Sequence, residues 1–145
     1  MVTYRALTPL DIEPVADFAM DGLPRSESLR ASREKVLAVV AHFETGADFH
    51  LIALADGRVV GAIAAVVSEM LFFERCEAVV VMFQARGVPG VGRELLQRLR
   101  AWADADMRVR RVVLPEEMGA RRGFERLLRG CGFEMTQRVS VYQKG

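Results

Sequence analysis

The stretch that decides the fold is QARGVPGVGR, residues 84–93. An apolar run, residues 78–83, precedes it, and apolar residues at helical spacing follow it from Val91 onward. Its three glycines within six positions are Gly87, Gly90 and Gly92. A glycine loop between a strand end and a helix start presents unpaired backbone N–H groups and the positive end of the helix dipole. Both favour a phosphate group, so the stretch predicts a pyrophosphate site.

Two other phosphate-binding loops and a purely structural role are the alternatives for this stretch. Gly87 and Gly92 have the spacing of a nucleotide-triphosphate loop, but Arg93 and Glu94 stand where that loop needs Lys and Ser or Thr. A dinucleotide fingerprint fails as well, because its third glycine is missing after Gly92. A glycine-rich connection also turns the chain without binding anything, so the loop alone does not establish a site.

The residues before the loop predict strands and helices in mixed order. The expected elements are a strand from Thr3 to Leu7, a helix from Pro9 to Met20, a helix from Ser26 or Ser28 to about His42, and strands over Phe49 to Ala55, Arg58 to Val67 and Phe72 to Phe83. Asp56-Gly57 suits the positive φ angles of a hairpin turn. The run from Ala78 to Phe83 is apolar on both faces, which is typical of a central strand that helices cover on both sides.

The residues after the loop predict two helices with a strand between them. The expected elements are a helix with the stripe Val91, Leu95, Leu99 and Trp102, a strand from Val109 to Leu114, a helix with the stripe Ala120, Phe124, Leu127, Leu128 and Cys131, and the last strands within Phe133 to Lys144. The order strand, helix, strand around the loop indicates a crossover between parallel strands, which is typical of an α/β fold.

Composition favours one globular domain over residues 1–145. The chain has 51% hydrophobic and 27% charged residues, a balance that supports a single folded core. Its formal net charge of +1 gives no field that would attract nucleic acid or a membrane surface, so we expect neither as a partner. No apolar run is long enough to span a bilayer, the N-terminus lacks a secretory signal, and only two cysteines occur. These features together predict a cytoplasmic protein.

The order of elements and three motifs resemble the GNAT superfamily of acetyl-CoA-dependent N-acetyltransferases. Residues 81–96 resemble the family's pyrophosphate loop and its leucine-bearing helix, Gly132-Phe133 resembles its closing Gly-Phe, and residues 56–61 resemble its hairpin before the third strand. The resemblance covers nearly the whole chain. It implies an α/β fold with a mixed, centrally splayed sheet of about six or seven strands flanked by four helices. The loop departs from the family's usual pattern in being one residue longer, and Pro89 contributes no N–H.

The resemblance implies acetyl-CoA as the co-substrate and no metal. Val81 and Phe83 would bind the pantetheine arm along the edge of the fourth strand. The phosphate cradle would consist of Arg86, Gly87, Gly90, Val91, Gly92 and Arg93. His42 and His50 lie apart, without other ligands at metal-binding spacing, which also predicts a metal-free protein.

Acetyl transfer needs a neutral amine, a stabilised oxyanion and, preferably, an acid for the departing thiolate. Glu77 is the candidate base and Glu74 a second candidate, because both precede the apolar part of the central strand; a surface carboxylate is the alternative role of each. Many relatives carry a tyrosine acid at the position of Leu128. Tyr4 and Tyr142 lie in predicted strands, where we expect them to pack.

The acceptor is expected to be a primary amine, either a small molecule or a protein or peptide amine, that attacks acetyl-CoA directly in a ternary complex. Neither Cys76 nor Cys131 shows the features of an acyl nucleophile. The alternative function is that of an acyl-CoA-binding sensor or structural subunit with a GNAT fold and no turnover. A homodimer is compatible with the sequence.

Overall fold

The computed structural model describes residues 1–23, 30–115 and 124–134 of the chain. These residues contain five strands and four α-helices, so the predicted α/β class is confirmed. The elements are β1 (Val2–Arg5), a 3-10 turn (Pro9–Asp11), α1 (Ile12–Gly22), α2 (Arg33–Gly46), β2 (Phe49–Ala55), β3 (Arg58–Glu69), β4 (Cys76–Ala85), α3 (Val91–Ala105), β5 (Val109–Val113) and α4 (Phe124–Gly130).

The five strands form one mixed sheet, in which they are ordered as they occur in the chain. The first four strands pair antiparallel, and β5 pairs parallel with β4. The hairpin between β2 and β3 turns at Asp56 and Gly57, whose φ angles are 51° and 76°, as the dipeptide predicts. Parallel neighbouring strands need a crossover connection, and α3 provides it by packing on one face of the sheet between β4 and β5 in the chain.

The prediction of about six or seven strands is not confirmed, since the described residues contain five. The last predicted strands were expected within residues 133–144. Phe133 and Glu134 are not in a strand, and the rest of that range lies outside the described residues, as does Ala120 of the predicted fourth helix.

The predicted boundaries differ most from the structure at the starts of β4 and α2. β4 begins at Cys76 rather than Phe72, because residues 70–75 form a turn that the Met70 N–H closes by donating to the Arg75 carbonyl at 2.9 Å. The second helix begins only after Ser32, whose hydroxyl accepts a hydrogen bond from the Lys35 N–H at 3.4 Å. The caps expected from the sequence, Ser26 and Ser28, lie outside the described residues.

Buried apolar side chains lie on both faces of the sheet, as the pattern of β4 predicts. The core between the sheet and α3 includes Ala53, Ile63, Ala65, Val80, Phe83, Val91, Leu95, Leu96, Leu99 and Cys131. The core between the sheet and the pair α1–α2 includes Leu7, Val15, Ala16, Val40, Phe43, Ile52, Ala62, Ala64 and Met82. β2, β3 and β4 supply residues to both cores, so the sheet is sandwiched between two helical layers.

One buried carboxylate, Asp11, joins the end of β1 to the start of α1. Its Oδ2 accepts hydrogen bonds from Arg5 Nη1 at 2.6 Å, the Thr8 N–H at 2.7 Å and the Thr8 hydroxyl at 2.9 Å. Its Oδ1 accepts a second bond from the same guanidinium at 2.9 Å. The bonds from Arg5, followed by those from Thr8, lower the pKa of Asp11 from 3.8 to about 2, although burial raises it.

Acid should therefore destabilise the protein through Asp11. Because the pKa of Asp11 is lower in the folded chain than its ordinary value, its stabilisation is present above about pH 4 and is lost as the pH falls towards 2. We expect Asp11→Asn to lower the free energy of unfolding at neutral pH by about 1–2 kcal/mol and to flatten its dependence on pH below about 4. Urea unfolding at several pH values measures both effects. Glu13→Gln, an exposed change in the same helix, should alter stability by less than about 0.5 kcal/mol.

Candidate functional site

The glycine stretch forms the turn from β4 into α3. β4 ends at Ala85 and α3 begins at Val91. Gly87 and Gly90 both have positive φ angles, 88° and 85°, and Gly90 is the left-handed N-cap residue of α3. A residue with a Cβ atom would be strained there, so glycine at these two positions allows the chain to turn from strand to helix.

The first turn of α3 presents backbone N–H groups at the carboxyl end of β4. The first hydrogen bond of the helix runs from the Glu94 N–H to the Gly90 carbonyl at 3.1 Å. The N–H groups of Val91, Gly92 and Arg93 therefore lie ahead of the helical ladder, at the positive end of the helix dipole. The exposed side chain of Arg93 adds a positive charge. This arrangement is suited to a phosphate group.

Close packing fixes the start of α3 against the sheet. A Cβ atom on Gly61 of β3 would lie 2.6 Å from Cγ1 of Val91 and 2.9 Å from Cδ1 of Leu95. A Cβ atom on Gly92 would lie 3.3 Å from Cδ2 of Leu127 in α4. The first turn of the helix thus touches both β3 and α4, and its N–H groups are held in one orientation.

β4 extends beyond its pairing with β5. The parallel register runs from Cys76 opposite Val109 to Val79 opposite Val113, whereas β4 continues to Ala85. The ladder with β5 therefore ends inside β4. The predicted central splay would separate the two strands beyond this point.

A β-bulge lies just beyond that point. Met82 pairs with Ala64 and Val80 pairs with Ala65, so Val81 is an extra residue in β4. Val80 packs on the α3 side of the sheet, whereas Val81 and Met82 both pack on the side of α1 and α2. The sequence gives no signal for this bulge, because all its residues are apolar and fit either core.

The residues expected to bind the cofactor lie along one path from the bulge to α3. Val81 is half-buried, and Phe83 is buried with its side chain in the core beneath α3. A ligand contact of Phe83 would therefore use its backbone. Gly87 and Gly90 are exposed in the loop that follows.

The side chain of Arg86 binds the end of α1. Its guanidinium lies 3.7 Å from the ring centroid of Phe18, donates to the Phe18 carbonyl, and donates to Oε1 of Gln84 at 2.9 Å. Gln84 Nε2 in turn donates to the carbonyl of Ala19 at 3.1 Å. The Arg86 N–H donates to the Val60 carbonyl at 3.0 Å. We call Gln84 and Arg86 the α1 clamp, because together they join the carboxyl end of β4 to α1.

A glycine in α1 makes room for the α1 clamp. A Cβ atom on Gly22 would lie only 1.9 Å from Oε1 of Gln84 and 2.9 Å from Nη1 of Arg86. Any larger residue at this position would displace the clamp from the helix end. The sequence did not indicate this role, because Gly22 predicts only that the helical pattern ends there.

Of the two candidate bases, Glu77 lies nearer to the bulge. It is in the part of β4 that pairs with β5, and its Oε2 accepts a hydrogen bond from Arg111 Nε at 2.7 Å. The Glu77 side chain is 19% exposed, but the Arg111 side chain is 54% exposed, so the ion pair lies at the surface and is open to water on the arginine side. Glu74 is exposed in the turn before β4.

The remaining candidates have packing roles or lie outside the described residues. Tyr4 packs on the core beneath α3, with the guanidinium carbon of Arg98 4.6 Å from its ring centroid, and burial raises the pKa of its phenol. Leu128 packs on the same core, and Tyr142 lies outside the described residues. Within the described ranges, no three His, Cys, Asp or Glu side chains are grouped to bind a metal, and no helix is long and apolar enough to cross a membrane.

No protein-family model matches the sequence, and no curated protein matches it. Solved structures match over nearly the full length. A transcriptional regulator from Bacillus halodurans C-125 has a TM-score of 0.79 at 14% identity, over 99% of this chain and 100% of the regulator. A GNAT family acetyltransferase from Staphylococcus aureus has a TM-score of 0.67 at 11% identity, over 99% of this chain and 98% of that enzyme.

A third structure contains a ligand related to the predicted cofactor. The aminoglycoside N-acetyltransferase AAC(6')-Iy, in complex with the bisubstrate analogue CoA-S-monomethyl-acetylneamine, has a TM-score of 0.70 at 18% identity. The match covers 100% of this chain and 99% of that enzyme. At these identities the likeness concerns the fold.

Removing the α1 clamp should loosen the end of α1. We expect Arg86→Ala to lower the free energy of unfolding by about 1–3 kcal/mol, because the Phe18 carbonyl and the side-chain oxygen of Gln84 would lose the hydrogen bonds that Arg86 donates. Arg86→Lys should recover little, since an ammonium group cannot reproduce the planar contact with Phe18 and both hydrogen bonds. Hydrogen exchange should accelerate at the Gly22 and Leu23 amides. Arg98→Ala, which removes a surface ion pair of α3 and the contact with the Tyr4 ring, is the control; because both lie on the α3 side of the sheet, it should leave those amides unchanged.

Proposed function

We propose that this chain, which has the fold of the GNAT acetyltransferases, is a single-domain enzyme that moves the acetyl group of acetyl-CoA to a primary amine. The observation that carries the proposal is the start of α3. Two left-handed glycines turn the chain at the carboxyl end of β4, and the first N–H groups of the helix lie ahead of its hydrogen-bond ladder. Such an end binds a pyrophosphate without a metal.

In this proposal the cofactor lies along β4. The pyrophosphate would contact the cradle formed by Gly87, Gly90, Val91, Gly92 and Arg93, mainly through backbone N–H groups. The pantetheine arm would run past Phe83 to the bulge at Val81. Arg86 belongs to the same loop, but because its guanidinium and N–H bind α1 and β3, we assign it to positioning the loop rather than to the phosphates. Its place in the predicted cradle is thereby revised.

The proposed chemical step is direct attack in a ternary complex. The neutral amine nitrogen bonds to the thioester carbonyl carbon, the C–S bond breaks, and CoA leaves as a thiolate that takes up a proton. Backbone N–H groups at the bulge are suited to stabilise the oxyanion. Since a thiol has an ordinary pKa of about 8.5, CoA can leave without a protein acid, which fits Leu128 at the position of the family's tyrosine.

We propose Glu77 as the group that accepts the proton of the amine. Its carboxylate is held in one orientation by Arg111 and lies in the half of β4 that precedes the bulge. An oriented carboxylate on this strand is suited to remove a proton through water.

The acceptor class is open between a small-molecule amine and a protein or peptide amine. AAC(6')-Iy, one of the structures with this fold, is an aminoglycoside acetyltransferase. Low identity prevents a transfer of that substrate to this chain. An acetylation screen over aminoglycosides, polyamines, amino acids and peptide N-termini, read by thiol release and mass spectrometry, identifies the class.

A second candidate function is acyl-CoA binding without turnover, as a sensor or structural subunit. Two observations favour it: Leu128, at the position where the resemblance expects an acid, packs on the core, and Glu77 is paired with Arg111 in a way that also serves strand pairing. Cofactor binding is common to both functions. Turnover with any amine distinguishes them.

Acetyl-CoA should bind in the absence of magnesium, because the loop lacks a hydroxyl for the metal and offers N–H groups instead. Arg93→Glu should weaken binding roughly 10-fold or more by repelling phosphate, and it should preserve α3, since an acidic residue is favourable in the first helical turn. Isothermal titration calorimetry with acetyl-CoA and with MgATP measures the magnesium dependence of binding and the loss of affinity in the variant.

Arg110→Glu is the matched control, because it makes the same charge change on an exposed residue of β5 at the other end of β4. It should bind acetyl-CoA as the wild type does. Magnesium-dependent binding of ATP without binding of acetyl-CoA would contradict the proposal. So would equal weakening by both variants, since it would reflect net charge rather than the cradle.

Once an acceptor is known, Glu77→Gln should lower kcat by roughly 100-fold or more and leave acetyl-CoA affinity nearly unchanged, because a positioned base contributes about that much. Arg111→Met removes the same ion pair but keeps the carboxylate. If Glu77 serves only strand pairing, both variants should lower stability alike and neither should reduce kcat specifically. Steady-state kinetics at several pH values, with thermal unfolding of each variant, separates these roles.

A further inference from the structure

We infer that the chain forms a homodimer through an exposed patch at the turn between β3 and β4. We call this patch the apolar tip. It consists of the side chains Leu71, Phe72, Phe73 and Met107. The inference is independent of the proposed function, because it rests on the end of β4 opposite the glycine loop.

The apolar tip concentrates exposed apolar surface in two short turns. Leu71, Phe72 and Phe73 are 86%, 84% and 67% exposed, and Met107 is 96% exposed. The other exposed large apolar residues of the described chain are Met1, Leu10 and, at only 48%, Val39, which lie elsewhere in the sequence. Single exposed apolar residues are ordinary, but three consecutive ones in one turn, with a fourth in the turn that is hydrogen-bonded to it, mark an interaction surface.

Backbone hydrogen bonds hold the apolar tip in shape. The Met70 N–H donates to the Arg75 carbonyl at 2.9 Å and closes the turn that carries three of the four side chains. The Cys76 N–H donates to the Arg108 carbonyl at 3.3 Å and joins this turn to the one that carries Met107. A surface that is already ordered loses little conformational entropy on binding.

Charges of both signs surround the apolar tip. A groove of about 480 Å³ beside it is lined by Glu69, Phe73, Glu74, Arg75, Cys76 and Arg108. Two of these residues are acidic and two are basic. Within the described residues, Glu69, Glu74 and Arg75 make no salt bridge, whereas Arg108 pairs with Asp106 at 2.9 Å.

This charge pattern favours a second copy of the chain as the occupant. A two-fold axis places the patch opposite itself, so an acidic residue of one copy can face a basic residue of the other. An anionic membrane could match the arginines of the groove but would leave Glu69 and Glu74 facing like charge, and a strongly charged protein would likewise leave one sign unmatched. A patch with both signs around an apolar centre is complementary to itself.

The size of the apolar tip predicts a dimer of modest affinity. Its two phenylalanines would bury on the order of 300 Å² per copy, given their exposure and the area of an aromatic side chain. A stable interface buries roughly 800 Å² per partner. Leu71, Met107 and the charged rim must supply the rest, so we expect a reversible dimer whose population rises with protein concentration.

Sedimentation velocity over a range of concentrations tests the inference. The wild type should shift from monomer to dimer, and Leu71→Ser should raise the dimer dissociation constant roughly 10-fold or more. Leu10→Ser is the matched control, because Leu10 is 89% exposed away from the apolar tip, and it should dimerise as the wild type does. Circular dichroism establishes that each variant is folded.

A pair of charge reversals tests the self-complementarity. Arg75→Glu gives the groove three acidic residues, and Glu74→Arg gives it three basic residues. Each variant alone should dimerise at least several-fold more weakly than the wild type, and an equimolar mixture should recover the dimer as a heterodimer. This recovery is specific to pairing between two copies of the patch.

Three outcomes would overturn the inference. One is a wild type that stays monomeric at all concentrations, and another is a Leu71→Ser variant that dimerises as well as Leu10→Ser. The third is a monomer that binds vesicles of phosphatidylcholine and phosphatidylserine in a manner that depends on Leu71, which would assign the apolar tip to a membrane. Loss of acetyl-CoA binding would bear on the proposed function alone.

Discussion

The packing of α3 on Gly61 is the contact on which the geometry of the candidate site depends. Gly61 lies opposite Ala85 at the end of β4, and Val91 and Leu95 fill the space where a side chain would stand. Both apolar residues are fully buried, and each contributes about 1.5–3 kcal/mol, so the helix cannot slide without a large loss. The loop must therefore close a fixed gap between strand and helix. The left-handed glycines allow the loop to close that gap. The packed helix and the loop together determine where the first N–H groups of α3 point.

Much of the fold could be predicted because the signals were local. The hairpin at Asp56-Gly57, the α3 stripe from Val91 and the two-faced apolar run in β4 each depend on a few neighbouring residues. The errors occurred where a local signal was misleading. Phe72 and Phe73 have high strand propensity, yet they lie in an exposed turn, because the hydrogen bonds of residues 70–75 determine the chain path there.

The site was predictable only in part, because only some of its features depend on neighbouring residues in the sequence. The glycine loop is a local motif, and the structure places it between β4 and α3 as the sequence predicts. The bulge at Val81 depends on register with β3, which apolar residues on both faces do not determine. The contact of Arg86 with Phe18 joins residues 68 positions apart, so no spacing in the sequence could reveal it. An arginine beside a phosphate loop was therefore assigned to the phosphate, although its side chain binds a helix end.

The length of β4 restricts what can react at this site. From Glu77 to Arg86 the chain runs nine residues, roughly 30 Å of extended strand. A compact anion at the start of α3 would remain far from Glu77, so only a ligand with a long extended arm could connect the loop with the half of β4 that pairs with β5. A pantetheine arm meets this requirement as far as the bulge. Val81 is still four residues, roughly 13 Å, beyond Glu77. A thioester at the bulge would therefore lie beyond direct reach of that carboxylate, and proton transfer to Glu77 would pass through water.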